Sequence, residues 1–209
     1  RSSCRSRAAN RPSSVADTPV YGLVLTGGKS RRIGHDKALL KRDGQSQLAY
    51  VAGVLNACVD KVFVSTRPDQ KNDEERSQYE QIVDRFDNMG PVAGILSALL
   101  ERPEADWLVV ACDLPNINEQ TIQYLLSHRD DEHPFTAYVS SHDGLPEPLC
   151  AVYHSGCTGI IEQFVGAGMN CPRKILMRSD TLLLDLPDPR SLDNINTPDD
   201  LQNSILRAT

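Results

Sequence analysis

Apolar residues fall into short runs separated by stretches with helical spacing. "VYGLVLT" (20–26) is a continuous apolar run of strand length that ends against two glycines. "KVFVST" (61–66), "EQIVD" (80–84) and "WLVVAC" (107–112) are further predicted strands, rich in β-branched and aromatic residues. Between them, "SQLAYVAGVLNACV" sets Leu48, Val51, Ala52, Leu55 and Val59 on one helical face. "GPVAGILSALLE" follows Gly90 as a helix, and "NEQTIQYLLSH" sets Ile122, Leu125 and Leu126 on a common face. The second half is less regular. There "FTAYVS" (135–140), "EPLCAVY" (147–153) and "TLLLDL" (181–186) read as strands, and "SGCTGIIEQFVGAG" as a helix closed by Gly166 or Gly168. "TPDDLQNSILRA" closes the chain as a helix with Thr197 at its N-cap, Pro198 in the first helical position, and Asp199 and Asp200 complementing the dipole.

Strands alternating with helices, the strands almost wholly apolar, predict an α/β fold with a parallel sheet covered on both faces. In such sheets ligands bind outside the carboxyl ends of the strands. The first strand ends at the paired glycines, and "WLVVAC" ends at Asp113. These two points are therefore expected to lie close together.

Composition bounds the possibilities. At 209 residues, 40% hydrophobic and 24% charged, the chain reads as one soluble globular domain, or one domain with a tail. No apolar run approaches the roughly 18 residues of a membrane span, so a membrane partner is not expected. A formal net charge of −6 argues against nucleic acid as a partner, because neutralising a phosphate backbone takes a basic face. The cysteines lack CxxC or zinc-site spacing, and Cys58, Cys112 and Cys150 sit in apolar runs as small core residues. A reducing, cytoplasmic location fits them. Residues 1–18, "RSSCRSRAANRPSSVADT", carry four arginines and five serines, no acid before Asp17 and no apolar periodicity. They are expected to be disordered: a linker, an expression remnant or a transit peptide. The absence of an initiator Met favours a piece of something longer. Residues 19–209 are the expected folded domain.

The stretch after the first strand invites chemistry. Gly27 and Gly28 free the backbone to approach a ligand, and Lys29, Arg31, Arg32 and Lys37 supply positive charge with a hydroxyl from Ser30. A polyphosphate cradle fits, and so does a tight turn under a solvated basic surface. Neither GxxxxGK[ST] nor GxGxxG is present.

The full string "LTGGKSRRIGHDKALL" (25–40) closely resembles the signature L-[AT]-G-G-x-S-x-R-M-G-x-D-K-x-L of the molybdenum cofactor guanylyltransferases, the MobA-like nucleotidyltransferases. Ile33 stands where that family usually has Met. "GPVAGI" (90–95), "ACDLP" (111–115), "EPLCAVY" (147–153) and "NINTPDDL" (194–201) match in the same order, and the residues before Val20 are not covered. The resemblance implies a Rossmann-like three-layer α/β/α nucleotidyltransferase fold with a mostly parallel central sheet. It implies transfer of GMP from GTP to molybdenum-bound molybdopterin, with pyrophosphate released and Mg²⁺ as cofactor. Molybdoenzymes and other cofactor-biosynthesis proteins are the implied partners.

The same resemblance distributes the roles. Lys37 and Arg32 are expected on the phosphates, and Asp113 as a Mg²⁺ ligand. Leu25, Thr26, Gly27, Gly28, Ser30, Asp84, Gly90, Pro91 and Gly94 complete the expected nucleotide site. Asp84 could contact ribose, base or metal, or be structural. Gly90 and Gly94 could serve close helix packing as well as the nucleotide. Glu147, Pro148 and Leu149, with Asn194 and Asn196, are expected on the pterin side. Arg173 and Lys174 fit either an acceptor phosphate or a solvated face. Two other readings stand beside this one. One keeps the reaction but takes CTP, or a sugar or polyol phosphate; the paired glycines favour guanine, since the cytidine relatives usually carry Ala-Ala-Gly. The other is a nucleotide-binding module without catalysis, against which intact Lys37, Arg32 and Asp113 count.

Overall fold

In the computed structural model, which describes residues 18–26, 36–42 and 44–194, every predicted strand forms. In chain order the strands are β1 (Val20–Leu25), β2 (Lys41–Arg42), β3 (Gln45–Ser46), β4 (Lys61–Thr66), β5 (Glu80–Val83) and β6 (Asp106–Ala111). β7 (Phe135–Val139), β8 (Pro146–Tyr153) and β9 (Thr181–Leu184) follow. The helices are α1 (Gln47–Asn56), α2 (Pro91–Glu101), α3 (Glu119–Ser127), α4 (Thr158–Gly166) and α5 (Pro172–Met177). β2 and β3 form a small hairpin apart from the main sheet.

The main sheet has seven strands in the order β5-β4-β1-β6-β8-β7-β9. All pairs are parallel except those of β8, which runs antiparallel to both β6 and β7. The sheet is thus mostly parallel. The antiparallel β8, the β2–β3 hairpin and the short helix α5 are features that the sequence pattern did not anticipate. A strand buried on both faces is apolar whichever way it runs, so its direction leaves no periodic trace.

Alternate side chains of the strands feed two cores. Val24, Val64, Val110 and Val152 face α1 and α3, packing on Leu48, Val51, Leu55, Ile122 and Leu125. Leu23, Phe63, Val109 and Ala151 face the other way, onto Ile95, Leu96 and Leu99 of α2, with Ile161 of α4 and Ile175 of α5. Three layers result, helices on both faces of the sheet. Cys112 and Cys150 lie in the first core as expected, while Cys58 is only half-buried at its margin. Val59 falls beyond the end of α1 yet still packs on that core.

Local signals place the helix ends. Ser46 caps α1 by accepting the Ala49 N–H at 3.0 Å, and Asn118 caps α3 by accepting that of Thr121 at 2.9 Å. α4 closes on Gly168, not Gly166: Gly168 takes φ +80°, and the Met169 N–H returns to the Phe164 carbonyl at 2.9 Å. The terminal helix expected from Thr197 onward lies outside the described residues, as does the tail 1–17. No helix among the described residues is long and apolar enough to cross a membrane.

The chain visits β1, β4 and β5 in one direction, then returns through α2 to place β6 on the far side of β1. The order therefore reverses between β1 and β6. That reversal opens a crevice at the carboxyl ends of those two strands.

Candidate active site

Three segments meet at the crevice, and each is fixed by its own local bonds. β1 runs into Thr26, whose hydroxyl donates to the Ser65 carbonyl at the end of β4, at 2.7 Å. β6 runs through Cys112, whose N–H donates to the Leu25 carbonyl at 3.2 Å, and then exposes Asp113. Between residues 37 and 39 the chain makes one 3₁₀ turn, capped by Asp36, which accepts the Ala38 N–H at 3.1 Å. Ala38 and Leu40 are buried, and this anchors the turn and aims Lys37 outward into the crevice. The Lys37 ammonium lies 2.9 Å from Asp113 Oδ2.

A second carboxylate sits deeper. Asp84 follows β5, donates its N–H to the Thr66 carbonyl at 2.8 Å, and accepts the Ser65 hydroxyl at 2.9 Å. Burial pushes its carboxyl above the ordinary range, while the Ser65 bond and the Arg67 charge pull the other way. Arg67 itself forks onto Asp69, with bonds of 2.9 and 3.0 Å.

The glycines of α2 have separate physical reasons. Gly90 adopts φ 57° and ψ −142° ahead of the helix, a conformation that a Cβ would strain. Gly94 is inside the helix, and a Cβ there would collide with the Ser65 hydroxyl and meet Leu25 Cδ2 at 3.0 Å. Close helix–sheet packing thus explains Gly94, and that packing keeps Ser65 where it can hold Asp84.

Together these groups wall a cavity of about 650 Å³. Leu25, Thr26, Lys37, Asp84, Gly90, Pro91, Gly94 and Asp113, all expected from the sequence, lie on its wall. So do Asp36, Ser65, Arg67, Phe86, Met89 and Leu149. Polar groups gather at the ends of β1, β4, β5 and β6, and Phe86, Met89, Pro91 and Ala93 form an apolar stretch by α2. Pro91 occupies the first position of α2, so the positive end of that helix opens on the cavity.

Gly27, Gly28, Ser30, Arg32 and Asn196 lie outside the described residues. On the other side of the crevice, Leu149 reaches the cavity wall, and Glu147 lies two residues earlier along the same strand. Glu147 is engaged by Arg173 at 3.0 Å, and the same guanidinium holds Asp143 at 2.8 Å. Pro148 is buried and its carbonyl accepts the Tyr153 hydroxyl at 3.0 Å, while Asn194 is exposed. Sequence reasoning missed Ser65, Arg67, Phe86, Met89 and the buried Arg76 behind Thr26. Ser65 could have been found, as a small polar residue closing an apolar strand. Arg76 could not, because the charge density of "KNDEERSQ" (71–78) reads as a solvated loop.

A cavity at the switch point of a mostly parallel sheet, with a lysine paired to a carboxylate across it, marks a doubly wound α/β protein with its ligand site in the expected place. The model of the MobA-like NTP transferase domain matches residues 22–182, and the chain belongs to that nucleotidyltransferase family. A molybdenum cofactor biosynthesis bifunctional protein of Synechocystis sp. is 38% identical over 186 residues, which is 89% of this chain and 54% of that protein. The chain therefore spans about half the length of that relative. A probable molybdenum cofactor guanylyltransferase of Nostoc sp. is 30% identical over 181 residues, 86% of this chain and 87% of the relative. The crystal structure of molybdopterin-guanine dinucleotide biosynthesis protein A from Archaeoglobus fulgidus superposes with a TM-score of 0.72 at 25% identity. That match covers 88% of this chain and 95% of the other.

Proposed function

We propose that this domain, residues 19–209, transfers GMP from GTP to molybdenum-bound molybdopterin. An oxygen of the acceptor phosphate attacks the α-phosphorus of GTP, the bond between the α- and β-phosphates breaks, and pyrophosphate leaves. The observation that carries the reading is the Lys37–Asp113 pair, 2.9 Å apart on the wall of the crevice cavity of a MobA-like domain. The guanylyltransferase names of its relatives supply the substrates.

Phosphoryl chemistry of this kind asks the protein for alignment and charge neutralisation more than for covalent help. Lys37 offsets the charge that builds on the departing pyrophosphate. Arg32, from the signature, grips phosphate oxygens alongside it. The Asp113 carboxylate is a hard oxygen donor on the cavity wall, and it fits Mg²⁺, which takes one or two carboxylates together with phosphate oxygens. Bound there, Mg²⁺ would neutralise part of the triphosphate charge. Asp84, held by Ser65, orients the nucleoside from the β5 side. The acceptor enters past Leu149, and the Glu147–Arg173 pair lies on that approach. We place the reaction in the cytoplasm, in keeping with the free thiols of Cys58, Cys112, Cys150, Cys157 and Cys171.

A paired turnover assay tests the reading: protein, Mg²⁺ and molybdopterin-bound molybdenum with either GTP or CTP, the product identified by mass. A guanine dinucleotide formed with GTP alone supports it. A cytidine product overturns the base assignment, and no product with either nucleotide overturns the activity.

A further inference from the structure

One guanidinium holds both residues that flank segment 27–35. Arg76 has a side chain only 1% exposed. Its Nε donates to Thr26 Oγ1 at 3.0 Å, and its Nη2 to Asp36 Oδ2 at 2.6 Å and more weakly to the Thr26 carbonyl at 3.4 Å. Its Nη1 faces Asp73 Oδ1 at 3.2 Å, within the turn that leads to Arg76 itself. Thr26 and Asp36 both line the cavity, and Arg76 stands behind them.

The partners are divided in an informative way. Asp73 is local and offsets the buried charge, as a structural arginine requires. Thr26 and Asp36 are not local: one closes β1, the other caps the turn that bears Lys37. A planar fork with donors in fixed directions can hold acceptors from two chain segments at once, which a lysine ammonium on a flexible stem cannot do as rigidly. A carboxylate that both caps the Lys37 turn and is gripped from behind has little freedom, so neither does the turn.

We propose that Arg76 is a positioning residue for nucleotidyl transfer: by clamping Thr26 to Asp36 it fixes Lys37 against Asp113 across the crevice. This rests on the reading of the crevice as the transfer site. Arg76 touches no reacting atom in this scheme. It acts through Asp36 and Lys37.

The test compares Arg76→Lys with Asp73→Asn by steady-state kinetics, thermal melts and crystallography. Arg76→Lys keeps the buried charge but loses the fork, and is expected to melt cooperatively while kcat falls roughly 10- to 100-fold, with KM for the acceptor little changed. Asp73→Asn loses only the local partner, and is expected to lower the melting midpoint as much while kcat stays within about twofold. Equal kcat losses in the two variants, or a folded Arg76→Lys with kcat within about twofold of the parent, would overturn the proposal. If Arg76→Lys fails to fold, Asp36→Asn serves instead: it keeps the cap and breaks the charge link, so unchanged turnover there also overturns it. Should the parent protein give no product with either nucleotide, the transfer reading fails by itself. The positional claim is then decided by the crystal structure of the folded variant. A Lys37–Asp113 separation beyond hydrogen-bond reach upholds the clamp, and an unchanged pair removes it.

Discussion

Lys37 and Asp113 are 76 residues apart in sequence and 2.9 Å apart in space, and each is the other's counter-ion at the mouth of the crevice. Their side chains are 17% and 23% exposed, so the pair is neither buried nor fully screened. In the proposed reaction, a triphosphate arriving with a divalent ion would offer each partner a stronger match: phosphate oxygens for the ammonium, a metal for the carboxylate. The pair holds both side chains in place across the crevice.

Lys37→Ala should separate fold from chemistry. A partly exposed ion pair is worth about 1 kcal/mol or less, so the melting midpoint should move little. Loss of a charge-stabilising donor should lower kcat by roughly 10²- to 10³-fold. Turnover and thermal melts on the same preparation check this, and near-normal turnover would remove Lys37 from the mechanism.

Asp113→Asn should act on the metal dependence. The amide is a poorer ligand for a hard cation, so the Mg²⁺ concentration giving half-maximal rate should rise by about tenfold or more. A Mg²⁺ titration of initial rates with the parent and the variant reads the shift. Superimposable titrations would leave Asp113 as a structural partner of Lys37 only.

Gly94→Ala should damage both stability and activity, since the new methyl group meets the Ser65 hydroxyl and Leu25. Overpacking of this kind costs about 1–3 kcal/mol. Adding Ser65→Ala in the same chain removes the colliding oxygen, and should restore much of the stability but not the hydrogen bond to Asp84. Thermal melts of the two single variants and the double variant decide whether the two positions are coupled as the geometry demands.

Asp84 makes a prediction about pH. Its carboxyl is raised above the ordinary aspartate range, chiefly by burial. The folded state therefore holds that proton more tightly than the unfolded chain does. Its contribution is favourable below the unfolded value and is lost as pH rises through the folded one. Asp84→Asn cannot ionise, and the asparagine oxygen can still accept the Ser65 hydroxyl. The variant should gain stability relative to the parent as pH climbs from about 3.8 toward neutrality, and the two should converge below it. A pH series of melts with no change in the difference would contradict the burial of this carboxylate.

The middle of the sheet was legible because β1 and β6 bury both faces and so appear as apolar runs, "VYGLVLT" and "WLVVAC". Helix starts were legible as stretches opening at Ser46 and Asn118, and the close of α4 was narrowed to Gly166 or Gly168. The signature around Lys37 pointed to the family, and the strand ends put Asp113 beside the end of β1. Such features are local: propensity, periodicity and capping act over a few residues, so composition and spacing suffice to state them. Other features depended on distant partners. β8 runs against its neighbours although its pattern matches theirs, and α5 owes its place to packing against the sheet. Arg76 sits in a charged stretch that looks solvated, yet folding carries it beneath Thr26 and Asp36, where two carboxylates and a hydroxyl replace its water. A buried charge is tolerated only where its partners converge, and convergence across 40 to 50 residues of chain is set by the tertiary fold alone.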